Sequence, residues 1–166
     1  MNIGYRSGFG YDIHGLLINP QRQLTVGGVT VQEGVCAQAH SDGDVLIHSL
    51  IDAILGALGL GDIGEHFPDT DSQYRNISSL ILLEQIVNLA QKHRASIINV
   101  DSTVILQEIK LSPHKEKIRS MLSEVLQIPT ERINVKAKTK ENMDATGRGE
   151  AIEAYSAVLI YVDKTE

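Results

Sequence analysis

Ala151-Ile152-Glu153-Ala154-Tyr155-Ser156-Ala157-Val158-Leu159-Ile160-Tyr161-Val162 is a long run with apolar side chains in both alternating sets. Successive strand residues point to opposite faces. Val158, Ile160 and Val162 therefore address one layer, and Tyr155, Leu159 and Tyr161 the other. A strand of this kind needs cover on both sides. Helices can supply one side. A second copy of the chain is the economical cover for the other, so the run implies an α/β sheet in a homo-oligomer.

The rest of the chain fits around that strand. Residues 140–150 form a polar, glycine-containing loop, and residues 132–139 alternate cleanly as a strand. Pro113 suits the first turn of a helix that runs to about Leu126. Residues 96–106, rich in Ile, Val and Thr, read as a strand, and residues 77–93 carry a helical period. Residues 42–59 read as a helix through Val45, Leu46, Leu50, Ile54 and Leu58, with Ser41 or Asp42 as its N-cap. Residues 34–41 read as a loop. Residues 22–33 read as a short strand pair turning at Gly27-Gly28, and residues 2–9 as a strand. The order is β-β-β-α-α-β-α-β-β. This predicts one α/β (α+β) domain over residues 1–166, with a mixed sheet of about four main strands and helices on one face.

The chain has 166 residues, enough for one ordinary core, and a formal net charge of −6. There is no long Lys/Arg run, so nucleic acid and anionic membrane are excluded as partners. No stretch is apolar enough to span a bilayer, and no leader pattern is present. Cys36 is the only cysteine, so no intrachain disulfide can form. The expectation is a cytoplasmic protein.

Two phrases carry chemistry. Asp12-Ile13-His14 places a carboxylate and an imidazole two apart, on one side of an extended backbone. His40-Ser41-Asp42-Gly43-Asp44 then leads into a helix that carries His48. Asp12, His14 and His48 offer three oxygen and nitrogen donors, which on a tetrahedral zinc leaves one position open. Two hydrogen-bonded histidines and a turn aspartate would read the same way. Asp44 or Asp52 could orient a liganding imidazole. His40 and Ser41 precede a helix N-terminus, where phosphate oxygens are well received. Asp62 could accept hydrogen bonds from a sugar diol. Lys138 and Thr139 could meet phosphate, Glu141 a hard cation, and Lys140 reads better as a solvated strand end. Asp69-Thr70-Asp71 lacks the remaining positions of a calcium loop, and Gly8-x-Gly10 lacks the rest of a dinucleotide fingerprint.

The phrases Gly8-x-Gly-x-Asp12-x-His14, His40-Ser41-Asp42-Gly43-Asp44 with His48, Gly61-Asp62-Ile63-Gly64, Phe67-Pro68-Asp69-Thr70-Asp71, Lys136-Ala137-Lys138-Thr139 and Gly147-Arg148-Gly149-Glu150 occur in that order. Together they span nearly the whole chain, which resembles the 2-C-methyl-D-erythritol 2,4-cyclodiphosphate synthase family of the non-mevalonate isoprenoid pathway. The resemblance implies a homotrimer with active sites between neighbouring subunits and a cytidine diphosphate substrate. It implies Zn²⁺ on Asp12, His14 and His48, Mg²⁺ on Glu141, and transition-state stabilisation by His40 and Thr139. It further implies that substrate meets Asp12, His14, His40, Ser41, Asp62, Ile63, Gly64, Phe67, Pro68, Asp69, Thr70 and Asp71. On the cytosine and phosphate side it implies Leu106, Lys110, Leu111, Ser112, Lys138, Thr139, Lys140, Glu141, Ala145 and Arg148. Three positions depart from the family pattern. Ile109 replaces a proline by the cytosine pocket, Ala145 replaces an aromatic residue beside the trimer axis, and Lys138 stands where many members have threonine.

Overall fold

In the computed structural model, which describes residues 3–163, the chain runs β1 (Ile3–Val26), β2 (Val29–Ala37), α1 (Val45–Leu58), α2 (Ile63–His66), α3 (Ser79–Lys92), β3 (Ala95–Ile105), α4 (Lys115–Leu126), β4 (Ile133–Lys138), α5 (Asp144–Gly147) and β5 (Ala151–Asp163). The strands form one five-stranded mixed sheet in the order β2-β1-β5-β3-β4. Only β3 and β4 are parallel, and α4 lies between them in the chain. A parallel pair needs a crossover of that kind. β5 is central, antiparallel to β1 on one side and to β3 on the other.

The even-numbered residues of β5 face the helices and are buried, including Ile152, Ala154, Val158 and Ile160. β1 presents Gly8 and Gly10 on that face. A Cβ at Gly8 would lie 1.8 Å from the Ala53 carbonyl oxygen, and one at Gly10 would lie 1.9 Å from that of Ser49. Absence of a side chain at both positions lets α1 press directly on β1. Leu46, Leu50, Ile51 and Ile54 of α1 are fully buried between the sheet and the outer helices. Ser49, Ser156 and Ser102 cross this layer as a chain of hydroxyls at 2.8 Å spacing, so no buried side-chain polar atom there is left unsatisfied.

The odd-numbered residues face away from the helices. Tyr5, Phe9, Tyr11 and Ile13 of β1 retain 66%, 67%, 41% and 44% of their surface. They form a ladder with β5, with Tyr11 and Tyr155 centroids 4.8 Å apart and Tyr5 and Tyr161 5.7 Å apart. The two-sided apolar character of β5 thus resolves into one face filled by this chain's helices and one open face.

Several expectations change. The sheet has five strands where about four main strands were expected. The reading of 2–9 and the first half of 22–33 as separate strands merges into β1, although residue 2 lies outside the described residues. The irregularity around Pro20 interrupts pairing with β2 between Ile18 and Gln23 without ending β1. The loop read at 34–41 is strand as far as Ala37. Gly34 looks like a breaker in sequence, and it adopts φ +77° within the strand. The turn at Gly27-Gly28 has φ +59° and +74°, the pair of positive values that a tight two-residue hairpin requires. Helix α1 begins at Val45, three residues later than read, and its N-cap is Asp44 rather than Ser41 or Asp42. The loop read at 140–150 contains the short helix α5, and the short helix α2 follows α1.

Candidate functional site

Strand pleat and helix turn bring three distant residues together. Asp12 and His14 share the helix-facing side of β1, and His48 lies one turn into α1. His14 Nε2, His48 Nδ1 and Asp12 Oδ2 form a triangle with sides of 3.2, 3.0 and 3.1 Å. Metal–ligand bonds of about 2.0–2.1 Å in a tetrahedron put ligand atoms roughly 3.3 Å apart. The triangle therefore has nearly the dimensions of one face of such a tetrahedron. No other His/Cys/Asp/Glu group of this kind was found among the described residues. The donor set suits zinc and would accept related divalent ions.

Electrostatics reinforce the cluster. Burial opposes ionisation of Asp12, but hydrogen bonds and charge from His14 and His48 outweigh it and hold the carboxyl well below the usual range. Burial pulls the His48 imidazole down, yet Asp12, with Asp44 and Asp42 behind it, leaves it raised.

Asp44 and Asp52, expected to orient an imidazole, are occupied elsewhere. Asp44 accepts from Gly27 N at 2.9 Å, Gly28 N at 2.7 Å and Ile47 N at 3.2 Å, tying the hairpin turn to the start of α1. Asp52 accepts from Ile63 N at 2.8 Å and so anchors α2. His48 Nε2 instead meets Ser79 Oγ at 2.8 Å and Ser41 Oγ at 3.2 Å. Ser79 was not identified in the sequence; it sits 31 residues downstream and no motif marks it.

The triangle opens into a cavity of about 500 Å³ lined by Asp12, His14, His40, Ser41, His48, Ile63, Gly64, Phe67, Pro68 and Asp69, among others. His40 stands at its mouth, exposed, with Nδ1 3.4 Å from Asp69 Oδ2. Phe67 is buried edge-on to Tyr74 at 5.3 Å and supports the cavity wall. Asp62 caps α2 by accepting from Glu65 N at 3.1 Å, and Asp71 caps the next turn through Gln73 N at 3.0 Å. Thr70 is exposed in the loop between them.

A second cavity, of about 310 Å³, is lined by Leu106, Lys110, Leu111, Ser112, Lys138 and Thr139 with neighbouring residues. Within one chain the sites read from sequence therefore fall into two separate recesses. Glu141 and Thr139 are exposed and hydrogen-bonded to each other. Lys140 turns away from them. Its ammonium lies 2.9 Å from Glu153 and 3.5 Å from Asp144, so it is already committed within the chain. Arg148 makes a two-point contact with Glu150, and Ala145 lies at the start of α5, half-buried.

The YgbB family model matches residues 5–161. A 2-C-methyl-D-erythritol 2,4-cyclodiphosphate synthase of Francisella tularensis subsp. novicida is 46% identical over 159 residues, which cover 96% of this chain and 99% of that protein. The synthase of Syntrophomonas wolfei is 46% identical over 155 residues, 93% of this chain and 98% of its own. Among solved structures, the bifunctional IspDF of Campylobacter jejuni superposes with a TM-score of 0.93 at 40% identity, covering 98% of this chain and 43% of that one. A CDP complex of Plasmodium falciparum IspF superposes with a TM-score of 0.84 at 39% identity, covering 98% of each chain.

Proposed function

This chain belongs to the YgbB family, and from that membership we propose that it is a metal-dependent cyclodiphosphate synthase of isoprenoid precursor synthesis. The substrate is 4-diphosphocytidyl-2-C-methyl-D-erythritol 2-phosphate. An oxygen of the 2-phosphate attacks the β-phosphorus, the bond from that phosphorus to the bridging oxygen breaks, and CMP leaves as the cyclic diphosphate closes. The observation that carries the reading is the Asp12, His14 and His48 triangle at the head of a cavity large enough for a phosphorylated ligand.

No protein nucleophile is needed, since the substrate brings its own. The chain's task is to hold two anionic groups together and to stabilise charge as CMP departs. A protein with a net charge of −6 needs local cations for that. Asp12, His14 and His48 would hold zinc, which would supply Lewis-acid chemistry, and Glu141 would hold Mg²⁺, which would supply further positive charge for the diphosphate. Around it, Ser41 accepts from Gly43 N at 3.2 Å, which leaves its hydroxyl hydrogen able to turn toward a phosphate oxygen. His40 at the mouth and Thr139 on the other recess serve as donors to the transferring group. Asp62, Ile63 and Gly64 receive the diol or ribose, and residues 106–112 the cytosine.

We further infer a homotrimer. The exposed row of Tyr5, Phe9, Tyr11 and Ile13 is the kind of surface that a second copy covers. The division of the site residues between two recesses supports a site completed across the interface, the metal recess of one subunit meeting the Thr139 recess of the next. Residues 1–166 act as one domain around a single core, in the cytoplasm, where the free and buried Cys36 would remain reduced. No helix among the described residues is long and apolar enough to cross a membrane.

Product analysis tests the proposal. Purified protein with Zn²⁺ and Mg²⁺ is incubated with the diphosphocytidyl substrate in oxygen-18 water and followed by phosphorus NMR. Equal amounts of CMP and an unlabelled cyclic diphosphate are expected. A linear phosphate carrying solvent oxygen would make the protein a hydrolase and overturn the reading.

A further inference from the structure

Behind His48, hydrogen bonds run in one direction only. Ser79 Oγ donates to Asp42 Oδ1, and Ser79 N donates to Asp42 Oδ2 at 2.9 Å. A carboxylate can only accept. The Ser79 hydroxyl hydrogen is therefore spent on Asp42, and its oxygen can meet His48 Nε2, at 2.8 Å, only as an acceptor. His48 must then carry its proton on Nε2. In the neutral ring that leaves Nδ1 as a lone pair, and Nδ1 is the atom 3.0 Å from Asp12 and 3.2 Å from His14.

We propose that Ser79 and Asp42 are positioning residues that lock His48 in the Nε2–H tautomer and aim Nδ1 at the metal. The inference rests on the metal-site reading above and adds to it the pair that prepares the third ligand. The burial of the group supports it. Ser79 is fully buried and His48 is 8% exposed, so neither can exchange this partner for bulk water. Asp42 also does the capping that α3 lacks locally, since its own N-cap Ser78 makes no side-chain bond. The position of the relay is thereby fixed by the start of a helix. Metal-bound histidine almost always donates its second ring N–H to a carboxylate, a backbone carbonyl or water, which fixes its tautomer and orientation. Here a serine hydroxyl stands between imidazole and carboxylate, and its partners come from segments 31 and 37 residues away.

Nitrogen-15 histidine NMR and zinc competition against a chromophoric chelator test the relay. In zinc-loaded wild type, His48 should show a protonated Nε2 and a coordinated Nδ1. Ser79→Ala keeps the backbone N–H that Asp42 caps, so the fold should survive by circular dichroism. Zinc affinity should fall by about 10–100-fold, and Ser79→Thr should restore most of it. Coordination through Nε2 in wild type, or unchanged affinity in a folded Ser79→Ala, would overturn the proposal and leave the metal site standing. A wild-type protein that takes up no zinc would overturn the metal-site reading and the relay with it.

Discussion

The two faces of β1 and β5 differ by one residue of register and are covered in opposite ways. On the helix side, Gly8, Gly10, Asp12 and His14 meet α1, and each polar group finds its partner inside the chain. On the other side, Tyr5, Phe9, Tyr11 and Ile13 keep between 41% and 67% of their surface exposed. Because the strand period is two, the same stretch places the candidate metal cluster on one layer and an exposed aromatic row on the other. The lesson is that closure on one face frees the other. The glycines admit α1, which carries His48, against the strand that carries Asp12, so the triangle is set by intrachain packing. The aromatic residues on the other face make no demand on that packing.

The greatest effect should come from forcing the closed face apart. Gly10→Val puts carbon where the Ser49 carbonyl oxygen lies, 1.9 Å from the new Cβ. The expected cost is about 3 kcal/mol or more, read by chemical denaturation. The neighbouring Phe9→Ala, on the open face, should leave the subunit folded and weaken only assembly, read by sedimentation. Equal damage from both would erase the distinction between the faces.

Next comes the site. His48→Ala should keep the fold, lose zinc by elemental analysis and lose at least about 100-fold in turnover, since a metal's electrostatic contribution is worth several kcal/mol. Tyr11→Glu should keep zinc in each subunit and still lose turnover, because it breaks association. Zinc retained by His48→Ala, or turnover retained by dissociated Tyr11→Glu, would contradict the assignment of one task to each face.

The smallest effect concerns a buried carboxylate on the open face. Glu153 is 4% exposed and accepts from Lys140 at 2.9 Å, Thr146 at 2.5 Å and more distantly from the phenols of Tyr11 and Tyr155. Burial opposes its ionisation, but the Thr146 and Lys140 hydrogen bonds win and lower its pKa. A lowered folded-state value means its stabilisation is present above the ordinary glutamate pKa of about 4.3 and disappears as pH falls below it. Glu153→Gln should cost about 1–3 kcal/mol at neutral pH and flatten the acid limb of a stability–pH profile. An unchanged acid limb would show that the ion pair does not support this face.

Much of this was legible in the sequence because it follows local rules. The two-sided apolar run at residues 151–162 marked a strand with cover on both sides, Gly27-Gly28 marked a tight turn between strands, and Asp12-x-His14 marked one side of an extended backbone. The rest depends on segments meeting across the fold. Gly34 suggested a loop because a glycine at positive φ looks alike in a turn and in an irregular strand. Asp44 could not be told from Asp42 as the cap, since both precede the same helix; the hairpin N–H groups of Gly27 and Gly28 decide between them. Ser79 carries no local sign of a role, and only the arrival of α3 beside His48 gives it one. Lys140 sat among phosphate-binding candidates, and Glu153 on the next strand claims it.

A subunit-mixing experiment tests most directly whether the metal face and the Thr139 recess of neighbouring subunits make one site. His48→Ala and Thr139→Ala, each inactive alone, are co-expressed in equal amounts and purified as mixed trimers. If the site is shared, each mixed trimer contains one intact metal half facing one intact Thr139 half. Activity should then recover to about a third of wild type, one intact site in three, as a mixed cyclic trimer requires. Mixed trimers that bind zinc in their Thr139→Ala subunits yet remain inactive would contradict it.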